Sequence, residues 1–221
     1  QFTGTNGNRI LLGFILATGF ISMWLSNTAT TMMMLPIAAS VISVVVAKNE
    51  HSPQLRYFAV SMMLAIAYAS NFGGIATIIG TPPNVAYASF ISKQFNYDIS
   101  FSAWMLIGFP VSMALLFSLY FVLIWMFPSK IDSNEEMRVL IKNELNSLGP
   151  MSVPEKRVMV IFLTTAMLWI TRDLINKLGI VKLDDNMIAV FGALLMFIVP
   201  AGNSAKQSER ILVWSDTAKM A

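Results

Sequence analysis

Long uncharged runs dominate the pattern of hydrophobic and polar positions along the chain. The first run, 10–47, holds 38 residues without a charged side chain, and the second, 57–92, holds 36. One helical crossing of a bilayer needs about 20 apolar residues. The first run is slightly short for two full crossings and a turn, so it predicts two helical arms of roughly 16 to 18 residues that meet near mid-membrane. Such an element is a re-entrant helical hairpin.

A polar cluster in the middle of the first run marks the tip of this hairpin. The predicted arms are 10–25 and 28–47, and the predicted tip is Ser26-Asn27-Thr28. Irregular backbone at membrane depth is tolerated only where it is buried in protein or lines a cavity that satisfies its polar groups. The tip is therefore a candidate site.

The second run is interrupted by Gly80-Thr81-Pro82-Pro83-Asn84. Proline lacks an amide hydrogen, and the residue before a proline is pushed away from helical angles, so this sequence ends a helix. Proline is also well suited to the first turn of a new helix. We predict one broken span, 57–79 and then 84–95, with its break inside the membrane.

The remaining chain predicts an all-α integral membrane protein with further spans and polar connections. The spans are 101–127, kinked at Pro110, then 158–171 and 186–202, followed by a last helix at 211–221. The polar segments are 93–98, the connector 128–157 with a surface helix, and 173–185. The predicted domains are a first-repeat transport region at 1–127 (hairpin 8–47, broken helix 57–97, helix 101–127), the cytoplasmic connector 128–157, and the start of a second repeat at 158–221.

Composition and charge support the membrane interpretation and exclude other classes. The chain is 56% hydrophobic and 12% charged, and it has no cysteine for a disulfide or a thiolate metal site. Its single histidine, His51, lies in a charged loop. The net charge of +3 comes from basic residues that flank apolar spans, which does not favour nucleic-acid binding. If both ends of the hairpin are cytoplasmic, ten basic residues lie on that side of the membrane and four on the other, an excess that supports this orientation. The count does not distinguish a hairpin from a double crossing.

The two breaks offer complementary chemistry. The last carbonyls of a helix point at a cation, and the first amides of the next helix point at an anion. Ser22, Ser26 and Asn27 provide neutral oxygens that suit sodium, and Gly80 adds an unobstructed carbonyl. Asn27 and Thr28 can donate hydrogen bonds to a substrate carboxylate. The uncharged runs around both breaks contain no acidic or basic residue, which leaves a proton relay or a membrane-embedded enzyme without a chemical group.

Structural roles compete with these assignments. Serine and threonine in membrane helices usually bond to their own backbone or to a neighbouring helix, and this alternative stays open for Ser22, Thr30, Thr31 and Thr77. Gly73-Gly74 favours close helix packing over a phosphate loop, because no lysine follows it.

The motifs resemble one family. Ser26-Asn27-Thr28-Ala29-Thr30-Thr31 with Met33 to Ile37, followed by Gly73 to Thr77 and Ile79 to Asn84, is similar to two motifs of the divalent anion/sodium symporter family. The resemblance implies inverted repeats, a scaffold domain, a moving transport domain and an elevator-type homodimer. By position it implies a sodium site of Ser22, Ser26, Asn27 and Gly80. It also implies that Asn27 and Thr28 hold a substrate carboxylate with Thr81 and Pro82 nearby.

The function implied is a secondary transporter, not an enzyme, that moves succinate, malate, citrate or similar acids with sodium through a membrane. The expected location is the bacterial inner membrane, and the expected partners are substrate, sodium, lipid and a second subunit, without nucleic acid. A sodium-independent dicarboxylate exchanger of the same fold and sulfate transport stay open as alternatives. The family's second hairpin has no counterpart in this sequence, which begins at Gln1, so we expect about half of the binding site in part of a longer protein.

Overall fold

The computed structural model describes residues 7–46, 53–128, 149–179, 182–202, 210–212 and 214. Over these ranges the chain is helical, with one isolated antiparallel bridge between Pro200 and Arg210 and no strand. The helices are α1 Gly7–Ser22, α2 Asn27–Val46, α3 Pro53–Gly74, α4 Pro82–Phe95, α5 Phe101–Met126, α6 Val153–Lys177 and α7 Asp185–Ile198. The expectation of an all-α chain is confirmed for the described residues.

The predicted helix–turn–helix at 10–47 is present as α1, a turn at 23–26 and α2. Ser26 acts as the N-cap of α2, because its Oγ accepts a hydrogen bond from the amide of Ala29 at 3.3 Å. Helix α2 contains Pro36 and continues through it to Val46. Both arms pack on α3 rather than chiefly on each other, so α3 is the element that holds the hairpin.

The predicted broken helix is also present, with different boundaries. Its first half, α3, ends at Gly74, five residues before the predicted end at Ile79. Two consecutive glycines weaken the helix there, and the Gly74 carbonyl bonds to the side chain of Asn84 instead of to a helical amide. The second half, α4, begins at Pro82, because proline fits the first turn. The break therefore spans 75–81.

The chain divides into two compact units. The first, Gln1–Ile99 with Ala103–Glu144, has a buried apolar core shared by α1, α2, α3 and α5. Its fully buried members with no exposed surface are Ile15, Ala38, Phe58, Met62, Ala65, Ala69 and Leu116. Helices α1 and α3 cross in backbone contact at Gly19 and Gly73, since a Cβ on Gly73 would overlap the Gly19 carbonyl oxygen.

Apolar side chains also cover the outward faces of the first unit. On α5, Leu106 is 79% exposed and Trp125 is 82% exposed. Large exposed apolar faces on a water-soluble domain are unfavourable, but they are what lipid requires. Helix α5, with a mean hydropathy of 2.2, is long and apolar enough to cross a bilayer, and so is α6, with 1.7.

In the second unit, Ser100–Ser102 with Leu145–Ala221, the predicted boundaries of one span are wrong. Helix α6 runs from Val153 to Lys177, whereas the sequence predicted a span at 158–171 and a loop from Asp173. A capping box between Ser152 and Glu155 starts the helix early. Charged residues continue it because they are paired: Arg172 lies 3.2 Å from Asp173 and 2.9 Å from Asp185.

The last described helix, α7, starts at Asp185 after Asp184 caps it, and ends at Ile198, four residues before the predicted end of that span. Trp169 of α6 donates its indole hydrogen to the Asp185 carbonyl at 3.1 Å. The predicted surface helix within 129–148, His51 and most of the predicted helix 211–221 lie outside the described residues.

Candidate functional site

The two helix breaks meet inside the first unit. The hydroxyl of Thr77, in the break, donates to the carbonyl of Met23, in the hairpin turn, at 2.5 Å. On the other side of the turn, Ser22 Oγ lies 2.7 Å from the carbonyl oxygen of Ser70. The amide of Asn27 donates to Asn71 Oδ1 at 3.0 Å. Segments about 50 residues apart in the chain thus form one polar cluster.

Two neutral oxygens of this cluster lie beside Gly74, and a third lies next to one of them. A Cβ built on Gly74 would overlap Asn27 Oδ1 and would lie 3.3 Å from the carbonyl oxygen of Gly80. Ser22 Oγ lies 2.9 Å from the same Asn27 oxygen. The structure therefore brings together three of the four residues predicted for sodium, and Gly74 leaves the space that they share.

Ser22 faces two hydrogen-bond acceptors, but its hydroxyl can donate only one hydrogen. Its hydroxyl has a single hydrogen, while both Ser70 O and Asn27 Oδ1 are acceptors without a hydrogen of their own. Whichever oxygen receives that hydrogen, the hydroxyl turns a lone pair toward the other. Two facing oxygens without a hydrogen between them repel each other, and a cation beside them would reduce this repulsion. This local shortage favours a cation at the cluster.

Side chains from the following helices fix the break. Asn84 is 8% exposed and uses its amide nitrogen to donate to Gly74 O at 2.9 Å and to Thr77 O at 2.8 Å. The indole of Trp104 donates to Ile75 O at 3.0 Å. These bonds satisfy carbonyls that the end of α3 leaves without helical partners.

The other predicted site residues occupy more open positions. Ser26 and Thr28 are exposed, and the Ser26 hydroxyl caps α2. Thr81 is half-buried with extended backbone, and Pro82 is exposed at the start of α4. Within the described residues, no hydrogen bond connects Thr28 with Thr81. Because Pro82 and Pro83 have no amide hydrogen, the start of α4 offers fewer donors to an anion than the start of α2.

Four residues of the cluster were missed by the sequence reasoning as partners of the site: Ser70, Asn71, Asn84 and, in the role seen here, Thr77. Ser70 and Asn71 lie on α3 before the motif, where nothing marks them as different from other small polar residues of a membrane helix. Asn84 carried a signal, since a buried amide two residues after a helix start requires partners. Its partners were not visible, because they lie across the break.

Comparisons with known proteins agree with the motifs. The family described as "Sodium:sulfate symporter transmembrane region" matches residues 1–221. The chain is 37% identical to the sodium-dependent dicarboxylate transporter SdcS of Staphylococcus aureus (strain USA300) and 38% identical to the SdcS of Staphylococcus saprophyticus. Each alignment covers 96% of this chain and 42% of the relative, so the chain spans less than half the length of these relatives.

These matches confirm the resemblance that the two motifs carry. A full-length match to the family, with relatives above 30% identity over nearly the whole chain, also supports an integral membrane protein. The chain belongs to the sodium:sulfate symporter family, the divalent anion/sodium symporters.

Proposed function

We propose that the chain carries one half of the binding site of a sodium-coupled dicarboxylate transporter. The observation that carries the proposal is the uncharged oxygen cluster of Ser22, Asn27 and Gly80 where the two helix breaks meet. The relatives named as sodium-dependent dicarboxylate transporters support the same ion and the same class of substrate.

Sodium is a transported ion in this proposal. Hydroxyl, amide and carbonyl oxygens bind a hard cation without adding a carboxylate charge, and both breaks lie within runs, 10–47 and 57–92, that contain no charged residue. Ser22 Oγ, Asn27 Oδ1 and the Gly80 carbonyl are the ligands with the strongest geometric support. Ser26 is a fourth candidate, although its hydroxyl also serves as the cap of α2.

The start of α2 is the proposed place for one substrate carboxylate. First-turn amides lack helical partners and lie at the positive end of the helix dipole. Thr28 is exposed there, and the Asn27 amide has a second hydrogen besides the one donated to Asn71. Thr81 and Pro82 are proposed to shape the opposite wall of the site and not to hold charge, because proline provides no hydrogen-bond donor.

The membrane arrangement is part of the proposal. We infer that the hairpin enters from the cytoplasm and ends part-way through the bilayer of a bacterial inner membrane, in one repeat of an elevator-type homodimer. The apolar outward faces of the first unit and the lengths of α5 and α6 support burial in lipid. Inverted repeats with paired discontinuous helices are how many secondary transporters form a site near the midplane.

Two alternatives differ in what crosses the membrane. A sodium-independent exchanger would use the same fold without the ion, and the shortage of hydrogens at Ser22 speaks against it. Sulfate is the anion in the family description, whereas the two relatives above are named for dicarboxylates, so dicarboxylate is preferred.

Uptake of radiolabelled succinate by liposomes containing the full-length protein tests the proposal. We expect uptake to require sodium in the external buffer and to fall to background when choline replaces it. Unlabelled malate should compete, and unlabelled sulfate should compete weakly. Undiminished uptake in choline would overturn sodium coupling, and stronger competition by sulfate than by malate would overturn the dicarboxylate assignment.

A further inference from the structure

We propose that Asn71 is a positioning residue that decides which end of the Asn27 side-chain amide faces the candidate sodium site. The proposal rests on the proposed function, because it concerns the orientation of one sodium ligand. The two ends of a side-chain carboxamide differ, because its oxygen attracts a cation and its NH₂ group repels one. A rotation of about 180° at Asn27 would exchange them without changing the shape of the side chain.

The orientation of the Asn27 amide follows from a chain of hydrogen bonds that begins at a helix carbonyl. The carbonyl oxygen of Ala67 is an acceptor only, and Asn71 Nδ2 donates to it at 2.8 Å. The other end of the same amide, Asn71 Oδ1, therefore faces Asn27. Since that oxygen is an acceptor, it takes a hydrogen from Asn27 Nδ2 at 3.0 Å. The remaining end, Asn27 Oδ1, is left facing Ser22 and Gly74.

Ser22 by itself would favour the opposite orientation. When its hydroxyl hydrogen is donated to Ser70 O, 2.7 Å away, the Ser22 oxygen becomes an acceptor toward Asn27. A rotated Asn27 would satisfy it with an N–H donor and would then direct an NH₂ group at the space beside Gly74. Asn71 is the contact that opposes this rotation and keeps an oxygen directed at the cation.

The test uses paired variants of Asn71 in liposomes. Asn71→Leu has a similar volume but no acceptor, so Asn27 is free to rotate. Asn71→Gln keeps an amide donor for the Ala67 carbonyl and an acceptor for Asn27 Nδ2. We expect the sodium concentration for half-maximal succinate uptake to rise about tenfold in Asn71→Leu and to stay within about threefold of wild type in Asn71→Gln, since one misdirected polar contact corresponds to roughly tenfold in affinity.

A third variant shows whether Asn71 acts through Asn27. In an Asn27→Ala background, Asn71→Leu should change the half-saturating sodium concentration by less than about twofold, because coupled residues are not additive. Equal effects of Leu and Gln at position 71, or an unreduced effect of Asn71→Leu in that background, would overturn the proposal, as would a wild-type sodium response in Asn71→Leu. If the wild-type protein showed no sodium dependence, the proposed function would fail first, which is a distinguishable result.

Discussion

The hairpin turn at 23–26 and the break at 75–81 interrupt helices in contrasting ways. The turn has four residues, and the last two, Leu25 and Ser26, are exposed. The break has seven residues, and Ala76 and Thr77 within it have no exposed surface. Side chains that follow it in the chain, Asn84 and Trp104, bond to its carbonyls.

The two segments also differ in how their polar groups are hydrogen-bonded. In the break, the carbonyls of Ile75 and Thr77 accept hydrogen bonds from the side chains of Trp104 and Asn84. The polar side chains beside the turn have less complete hydrogen bonding. Asn27 is half-buried, and the Ser22 hydroxyl faces two acceptors with one hydrogen. We therefore expect changes in the break to reduce stability first, and changes beside the turn to reduce sodium binding first.

The contact that joins the two regions gives the largest expected effect. In Gly73→Ala the new Cβ would lie 2.6 Å from the Gly19 Cα and in overlap with its carbonyl, which are backbone atoms that cannot move aside. We expect little folded protein in detergent extracts. Gly19→Ala is the matched control, because its Cβ would meet only the end of the Leu116 side chain, at 2.6 and 2.9 Å. Equal yields and melting temperatures for the two variants would contradict the crossing.

Removing the anchor of the break comes next. Asn84→Leu leaves the Gly74 and Thr77 carbonyls without their side-chain donor, and a buried group left unpaired costs about 1–3 kcal/mol. We expect a clearly lower melting temperature in detergent, measured by intrinsic tryptophan fluorescence. Asn71→Leu is the control for loss of an exposed asparagine on the same unit. A melting temperature for Asn84→Leu as high as that control would show that the break does not depend on Asn84.

Asn27→Ala, beside the turn, should reduce sodium binding more than it reduces stability. The proposed ligand oxygen is lost while the surrounding backbone stays in place, so we expect the half-saturating sodium concentration to rise at least about tenfold. The melting temperature without sodium should stay near that of the wild-type protein. Wild-type sodium affinity in this variant would refute the assignment of Asn27.

Ser26, another predicted sodium ligand near the turn, has a smaller expected effect than Asn27. Its hydroxyl is a helix cap, and Ser26→Ala should cost about 1 kcal/mol of helix stability, whereas Ser26→Gly costs only a few tenths. If capping is its main role, Gly should transport better than Ala, with sodium half-saturation raised no more than about threefold. A tenfold rise in both variants would make Ser26 a sodium ligand.

The smallest expected effect is that of pH. None of the candidate ligands titrates, so the half-saturating sodium concentration should be constant between about pH 6.5 and 8. Uptake of succinate at several sodium concentrations across this range measures it. A tenfold change would indicate a titrating group at the site and would weaken the distinction between an uncharged cluster and its surroundings.

The sequence predicted the helices around both breaks because the signals are local. Proline at 82 and 83 and the polar cluster at 26–28 mark interruptions in runs that are otherwise uncharged. It predicted the oxygens at Ser22, Asn27 and Gly80 from residue type and helix-end chemistry, and the structure places them together at Gly74.

The errors and omissions arise where distant residues decide the outcome. The prediction ended helix α6 too early, with a loop from Asp173, because the partner of the neighbouring Arg172 is Asp185, more than ten residues further on. Asn71 and Ser70 acquired their roles only through contacts with the hairpin, some 40 to 50 residues away in the chain. Periodicity within one segment contains no information about such contacts.

The pair of prolines that opens α4 has one more consequence. A helix grows backward by adding amide-to-carbonyl bonds at its first turn, and two adjacent imino residues cannot supply the hydrogens for that growth. Closure of the break at 75–81 into a continuous helix is therefore unfavourable, whether or not an ion and a carboxylate occupy the proposed site. The interruption follows from the covalent structure of the two prolines and needs no ligand to maintain it.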